Sequence, residues 1–321
     1  MKLAMAYFFD EHENKIALAK QMGVLNVVTG TPVRNPGERP WEYTAFYNKV
    51  KHFEDAGLNV HVIEGPTPLD KVKLGLPGRD EEIDNFCELI ENMAKLNVRT
   101  LCYNWMPVIG WFRTNMNVLS RGGARATGFN YELVKNAPLT YAGEISQQQL
   151  WDNMEYFLKA VVPVAEKYEV RLAVHPDDPP VESLRGISRI LINAAAFQRV
   201  IDMVPSEFNG ITMCQGSFGA MGENVLELIH TFKKKIFFSH FRDIRGTACN
   251  FVEAFHDDGM TDMAACMKAY MEIGFDGCMR PDHVPAMAGE ENVNPGYSVL
   301  GNLFAIGYMK GLIEAVEKYA F

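Results

Sequence analysis

The feature that most constrains the fold is the alternation of eight short apolar runs with helix-like segments along the whole chain. Each run has the length and residue types of a buried strand, and several of the intervening stretches show helical periodicity. The predicted strands are residues 3–8, 25–30, 58–65, 98–105, 171–176, 211–216, 236–241 and 277–283. Eight strands, each followed by a helix or by a loop and then a helix, predict a (β/α)8 barrel.

A doubly wound sheet is the competing α/β architecture. It would need a switch point and usually a Gly-rich phosphate turn, and no G-x-G-x-x-G follows an early strand. No shift in composition marks a linker, so we predict that residues 1–321 form a single barrel domain. Residues 106–143 have no clear pattern and are predicted to be a long insertion after strand four. Two roles stay open for the insertion: closing over the barrel mouth or reaching a neighbouring subunit.

The helices are predicted from spacing, caps and breakers. Ser146 is a candidate N-cap for a long helix, and Pro163 is expected to bend or split that helix. Residues 32–40 and 66–80 are predicted to be loops. The other predicted helices span residues 12–22, 41–56, 81–96, 188–203, 222–232, 261–273 and 300–319.

Composition and charge narrow the function classes. Hydrophobic residues make up 48% and charged residues 22% of the chain, as in an ordinary globular protein. The net charge is -9 and no run of more than three Lys or Arg residues occurs, which argues against a nucleic-acid partner. We find no apolar run near the roughly 20 residues needed to cross a bilayer. The six cysteines form no C-x-x-C motif, and we see no export signal, so we predict a cytoplasmic protein.

Four predicted strands in the second half change abruptly from apolar to polar at their carboxyl ends. The residues at these changes can all bind metals: His175, Cys214, His240 and Asp282. Inward-facing side chains alternate along a barrel strand, and the four residues share parity with earlier residues of their own runs, namely Ala173, Thr212, Phe238 and Cys278. We therefore expect the four side chains to converge at the mouth, where parallel barrels keep their chemistry.

A nitrogen, sulfur and oxygen donor set of this kind suits iron(II), manganese, cobalt or zinc. Four such ligands usually complete a zinc site, whereas a six-coordinate ion keeps two positions for substrate oxygens. A catalytic site therefore favours iron(II) or manganese. Taken singly, a buried Cys or a His after a strand is more often structural than functional. The convergence of four strand ends is what favours a metal site.

Several motifs, in this order, resemble the D-mannonate dehydratase family. They are HPDDPP, MCQGSFG, SHFRDIRG, FVEAFHDDG and MRPDH, with YNWMPVIGWFRT before them and GYMKGLIEA in the last helix. The resemblance implies a (β/α)8 barrel similar to that of xylose isomerase. It also implies dehydration of D-mannonate to 2-keto-3-deoxy-D-gluconate in hexuronate breakdown, with iron(II) or manganese as the cofactor.

The resemblance also assigns residues. The metal ligands fall on the same four residues that the strand ends indicate, and the acid and base fall on His283 and Tyr297, in unspecified order. We expect Arg280, Arg242 and Asn104 to bind the sugar acid. Three alternatives stay open: another sugar-acid dehydratase, a sugar isomerase, or a metal-stabilised sugar-acid binding protein without turnover. Whether the chain forms a homo-oligomer is also open.

Overall fold

The computed structural model describes residues 1–9, 13–32 and 39–319, and eight parallel strands in it close into a barrel. We number these barrel strands β1 (Lys2–Tyr7), β2 (Asn26–Thr29), β3 (Asn59–Glu64), β4 (Thr100–Asn104), β5 (Arg171–His175), β6 (Asn209–Cys214), β7 (Ile236–Phe241) and β8 (Cys278–Pro281). Consecutive strands pair with each other, and β1 closes the ring against β8. The predicted (β/α)8 barrel is confirmed.

Successive side chains along each barrel strand point alternately into and out of the barrel, and this divides the apolar side chains into two layers. Small inward side chains fill the barrel, among them Ala4, Val28, Cys102 and Ala173. Outward residues of the same strands pack against the helices in the main hydrophobic core. The barrel is therefore filled, and the open space for chemistry lies at the carboxyl ends of its strands.

Helices follow the strands around the outside. They are α1 (Glu13–Gln21), α2 (Tyr43–Asp55), α3 (Asp70–Leu74), α4 (Arg79–Lys95), α5 (Gln147–Tyr168), α6 (Ala194–Met203), α7 (Gln215–Ala220), α8 (Val225–Phe232), α9 (Met263–Glu272) and α10 (Val299–Tyr319). Most of the predicted helices are present within a few residues of their expected ends. The predicted start of the first helix, His12, lies outside the described residues.

Helix α5 tests two local predictions, the cap at Ser146 and the break at Pro163. Ser146 caps it as predicted, accepting a hydrogen bond from the Gln149 backbone within a complete capping box. The helix is not split at Pro163, however, and runs unbroken through it. An interior proline costs about 3 kcal/mol. Here Pro163 lies on the exposed face, while the opposite face buries Leu150, Phe157 and other apolar residues that offset this cost.

The predicted insertion after strand four folds onto the mouth of its own barrel. Its strands Asn115–Leu119 and Arg125–Asn130 join Asn250–Glu253 and Ile244–Thr247, from the segment after β7, in one antiparallel sheet. We call this four-stranded unit the cap sheet. Phe129 and Phe251 of the cap sheet pack with Val181 and Leu184 from the segment after β5. The insertion is therefore an integral part of the barrel end.

Three further predictions were wrong for local reasons. The segment 66–80, predicted to be a loop, contains α3, whose single turn is too short to show periodicity. The predicted helix 188–203 begins only at Ala194, since Ile187–Ser188 pairs with Ser183–Leu184 in a small hairpin. The predicted strand 211–216 ends at Cys214, because Gln215 already begins α7.

By length and composition alone, α10 is the one helix in the described ranges that could cross a membrane. Lys310 and Glu314 interrupt its apolar run, which is why the sequence scan did not register it. The helix buries Ala305, Ile306 and Met309 against the body of the protein. A core helix of a barrel meets the same criteria, so this helix alone does not indicate a membrane protein.

Candidate active site

The carboxyl ends of β5 to β8 bring the four predicted ligands together. Strand register places Cys214 beside His240, and His240 beside Arg280. Nε2 of His175 lies 3.1 Å from Nδ1 of His240, which in turn lies 3.5 Å from Oδ2 of Asp282. The donor atoms of His175, Cys214 and His240 all lie within 4.8 Å of one another. We call these three residues and Asp282 the candidate metal centre.

The donor atoms fit a bound cation. Nδ1 of His175 lies 2.7 Å from the carbonyl oxygen of Pro176, so this nitrogen donates and Nε2 keeps its lone pair. Nε2 of His240 lies 3.3 Å from Oε1 of Glu64, which leaves Nδ1 of His240 facing Nε2 of His175. Two lone pairs 3.1 Å apart repel unless a proton or a metal ion lies between them. A metal ion placed between these donor atoms, with metal–ligand bonds of about 2.0 to 2.3 Å, would nearly bridge the separations between them.

The Cys214 side chain is arranged as a thiolate. Although burial opposes ionisation, the Arg242 guanidinium and His175 hold the pKa of Cys214 well below its usual value. Arg242 Nη1 and Ser217 Oγ each donate to the sulfur at 3.3 Å. Gly216 makes this approach possible, since a Cβ there would lie 2.7 Å from Nε of Arg242. A thiolate is the form of cysteine that binds metals.

Glu64, at the end of β3, supports the opposite side of the centre. It receives two hydrogen bonds from Arg280, at 2.9 and 3.0 Å, and Arg280 also donates to Asp282 at 2.7 Å. Burial opposes the charge of Glu64, but Arg280 and His240 lower its pKa to about 2. For His240, burial and Arg280 oppose protonation, yet Glu64 and Asp282 raise the pKa to about 10. A metal ion binding through Nδ1 would therefore displace a proton.

A cavity of about 360 Å³ opens next to this centre, within the size range of small-molecule sites. Its lining includes His175, His240, Asp282, Arg280 and Asn104, together with His283, Tyr297, Trp111 and Glu64. Arg242 is not among the lining residues. Its guanidinium is buried and paired with protein acceptors, so the structure places it behind Cys214 and Asp282.

The predicted acid and base lie together on the cavity wall. The rings of His283 and Tyr297 are 5.7 Å apart and nearly perpendicular, and Trp111 lies 5.1 Å from the His283 ring. His283 has a φ of 44°, a left-handed conformation that non-glycine residues seldom adopt. The Tyr297 hydroxyl is 3.5 Å from Oδ1 of Asp282. Burial and the Asp282 carboxylate raise the pKa of Tyr297 well above its usual value.

Four buried charged residues behind His283 form what we call the ion cluster: Arg113, Asp178, Arg242 and Glu253. Arg113 donates to Asp178 at 2.5 and 2.9 Å and to Glu253 at 2.6 Å. Arg242 donates to the same two carboxylates, at 2.8 to 2.9 Å. Oε1 of Glu253 then lies 3.4 Å from Nδ1 of His283. The cluster thus connects the cap sheet to the cavity wall.

Sequence reasoning missed Glu64, Arg113 and Glu253 as site residues. Arg113 and Glu253 do lie inside motifs that carried the resemblance, WFRT and FVEAF, and this was the available signal. Asp243 lies in the same motif as His240, SHFRD, but it accepts from the backbone and hydroxyl of Thr261. The carboxylate beside Nε2 of His240 belongs to Glu64.

The fold and the site define a class: a (β/α)8 barrel enzyme with a candidate metal centre at the barrel mouth. The sequence profile of the family D-mannonate dehydratase (UxuA) matches residues 1–142 and 137–321. The mannonate dehydratase of Brachyspira hyodysenteriae is 34% identical over 332 aligned positions, covering 92% of each chain. That of Thermotoga petrophila is 33% identical, covering 99% of this chain and 98% of the relative.

A solved structure gives the same result. The crystal structure of mannonate dehydratase from Streptococcus suis serotype 2 matches with a TM-score of 0.90 and 31% identity, covering 100% of this chain and 94% of that one. The chain belongs to the D-mannonate dehydratase family and is an enzyme of that type.

Proposed function

We propose that the protein dehydrates D-mannonate to 2-keto-3-deoxy-D-gluconate with Mn²⁺ or Fe²⁺ as its cofactor. The observation that carries this proposal is the shared cavity: three residues of the candidate metal centre, His175, His240 and Asp282, line the same space as His283 and Tyr297 in a chain of this family. The mixed donor set of His175, Cys214, His240 and Asp282 suits either ion. A bound ion would supply Lewis-acid stabilisation of the charge that develops on the substrate carboxylate.

The chain's own residues would move two protons. One group takes the proton from C2, next to the carboxylate, and the other protonates the C3 hydroxyl, which leaves as water. The resulting enol then tautomerises to the 2-keto acid. Nδ1 of His283 lies 3.4 and 3.6 Å from carboxylate oxygens of Glu253 and Asp282, and 3.5 Å from Nη2 of Arg113. In the tautomer whose Nδ1 proton is shared with a carboxylate, Nε2 keeps a lone pair for the substrate. Because the raised pKa of Tyr297 keeps its hydroxyl protonated, we assign His283 as the base and Tyr297 as the acid.

Around this pair, Arg280 and Asn104 are the predicted substrate-binding residues that reach the cavity. Arg280 already donates to Glu64 and Asp282, so its contribution is mainly positive charge beside the substrate carboxylate. Arg242 would act on the reaction through Cys214. We further propose that the reaction belongs to hexuronate breakdown in the cytoplasm, a reducing compartment that suits the free cysteines of the described chain.

The test is turnover of D-mannonate by metal-stripped protein, with Mn²⁺ or Fe²⁺ added back. Metal-dependent formation of 2-keto-3-deoxy-D-gluconate is the expected result. Bound metal with an isomerised product would indicate a sugar isomerase, and sugar-acid binding without product would indicate a binding protein.

Variants of the acid and base sharpen this test. We expect His283→Ala and Tyr297→Phe to keep the metal and to lose turnover by about 100-fold or more. Tyr103→Phe is the matched control, because Tyr103 also lines the cavity and its buried hydroxyl has no hydrogen-bond partner in the described chain. Near wild-type turnover in either active-site variant would remove that residue from the mechanism.

A further inference from the structure

Lys73 is a buried lysine that the proposed chemistry does not use. It lies on α3, is only 7% exposed, and places Nζ 3.2 Å from Oδ1 of Asn104. Burial lowers the pKa of Lys73 to about 8, with Asp70 and Asp177 partly offsetting this effect. The ammonium form therefore still predominates at neutral pH, and an ammonium group can only donate hydrogen bonds.

The orientation of the Asn104 amide follows from its two neighbours. One side-chain atom of Asn104 lies 3.2 Å from Nζ of Lys73 and 3.1 Å from the backbone nitrogen of Met106. Both groups are donors, so the atom between them has to be the amide oxygen. Asn104 lines the cavity, and Nδ2 has no protein acceptor among the described residues. The two N–H groups of the amide are therefore left for a ligand.

The position of Lys73 is itself fixed by its surroundings. Nδ2 of Asn153, on α5, donates to the Lys73 carbonyl at 2.9 Å. Glu82, on α4, accepts from the backbone of Val72 at 3.0 Å. Helix α3 also contacts the segment after β4 at a second point, where Oδ1 of Asp70 accepts from Val108 at 3.4 Å. These contacts hold α3 against the base of the segment that carries Trp111 into the cavity.

We propose that Asn104 presents Nδ2 as a fixed donor to an oxygen acceptor of the sugar acid, and that Lys73 is the positioning residue that sets this orientation. The acceptor is a carboxylate or hydroxyl oxygen of a polyhydroxy acid. The inference rests on the proposed function, since it takes a sugar acid as the occupant of the cavity. A ligand with an ammonium group at this point would be rejected, because two donors would then face each other.

The first test is Asn104→Asp, assayed with D-mannonate. The aspartate has the same shape and keeps an oxygen for Lys73, but it replaces the donor with an acceptor. We expect the KM or Kd for D-mannonate to rise about 10- to 100-fold with little change in thermal stability, since hydrogen bonds to charged groups carry effects of that size. Unchanged binding by this variant would overturn the donor assignment.

The second test asks whether Lys73 acts through Asn104. Lys73→Met should weaken D-mannonate binding by about 3- to 10-fold in the wild-type background and add nothing to Asn104→Ala. Lys95→Met is the matched control, because Lys95 also donates to an asparagine, Asn92, at 3.2 Å but on the outside of α4. Additive effects of Lys73→Met and Asn104→Ala would overturn the positioning role.

A substrate-free measurement separates this inference from the proposed function. If the wild type neither binds nor converts D-mannonate, the proposed function fails, but the amide orientation can still be measured. In protein labelled with ¹⁵N-asparagine, Lys73→Met should shift the side-chain resonance of Asn104, and Lys95→Met should not. An unshifted Asn104 resonance in Lys73→Met would overturn the inference whatever the substrate is.

Discussion

The candidate metal centre and the ion cluster lie side by side at the barrel mouth but are built from different parts of the chain. His175, Cys214 and His240 are the last or nearly last residues of barrel strands, and strand register alone brings them together. Two members of the ion cluster, Arg113 and Glu253, come from the segments that form the cap sheet. The candidate metal centre therefore follows from the pairing of the barrel strands, whereas the ion cluster holds the cap-sheet segments against the barrel.

The two sites also use charge differently. In the candidate metal centre, a thiolate, a carboxylate and two facing histidine nitrogens are gathered where a cation fits. In the ion cluster, two arginines pair with two carboxylates, and buried charges are tolerated only when paired in this way. Removing a residue from the first site should therefore affect metal affinity, whereas removing Arg113 from the second should affect folding.

The largest expected effect is on folding, from Arg113→Met. The Arg113 side chain is fully buried, and its loss leaves Arg242 as the one remaining arginine that pairs with both Asp178 and Glu253. Breaking a buried ion network costs about 3 to 5 kcal/mol. Urea unfolding should show a loss of that size in the free energy of unfolding.

Arg121→Met is the control for this loss. Arg121 also forms a two-point pair with an aspartate, Asp257, but the two side chains are 44% and 34% exposed. Exposed pairs contribute about 0 to 1 kcal/mol. Equal losses in the two variants would show that burial of the ion cluster does not set its importance for folding.

The second effect is on metal affinity, from Cys214→Ser. A serine hydroxyl does not ionise as the Cys214 thiol does, so we expect affinity for Mn²⁺ to fall by about 100-fold, near 3 kcal/mol. Competition with a chromogenic chelator measures this directly. Cys102→Ser is the control, because Cys102 is equally buried but burial raises its pKa well above the usual value, so it stays a thiol. A loss of affinity shared by both variants would contradict the ligand role of Cys214.

The same comparison explains how far the sequence could predict this molecule. The barrel follows from alternation, because each strand must bury side chains on both faces, and the residues of the candidate metal centre follow from the abrupt polarity change at four strand ends. Glu64 shows no comparable signal, since one acid before a glycine at the end of β3 is common in a turn. Arg113 and Glu253 are far apart in sequence, and only the folded cap sheet makes them neighbours.

The smallest effect concerns a buried histidine outside both sites, His256. Burial lowers its pKa to about 4, and Nε2 donates to the carbonyl of Phe241 at 2.6 Å. The unfolded chain, with a histidine pKa near 6.5, takes up this proton first as the pH falls. Above about pH 6.5, His256 therefore does not change the free energy of unfolding as the pH varies. Between about pH 6.5 and pH 4 it lowers the free energy of unfolding as the pH falls. The expected loss is about 2 kcal/mol between pH 7 and pH 5.

His256→Gln should reduce this pH dependence, because glutamine can still donate to Phe241 but does not titrate. The measurement is the free energy of urea unfolding at pH 7, 6 and 5, with a chelator present throughout so that metal binding does not contribute. His230→Gln is the control, since His230 is 42% exposed on α8. If His256→Gln and the wild type lose the same stability between pH 7 and pH 5, burial of a neutral His256 is not what makes folding sensitive to acid.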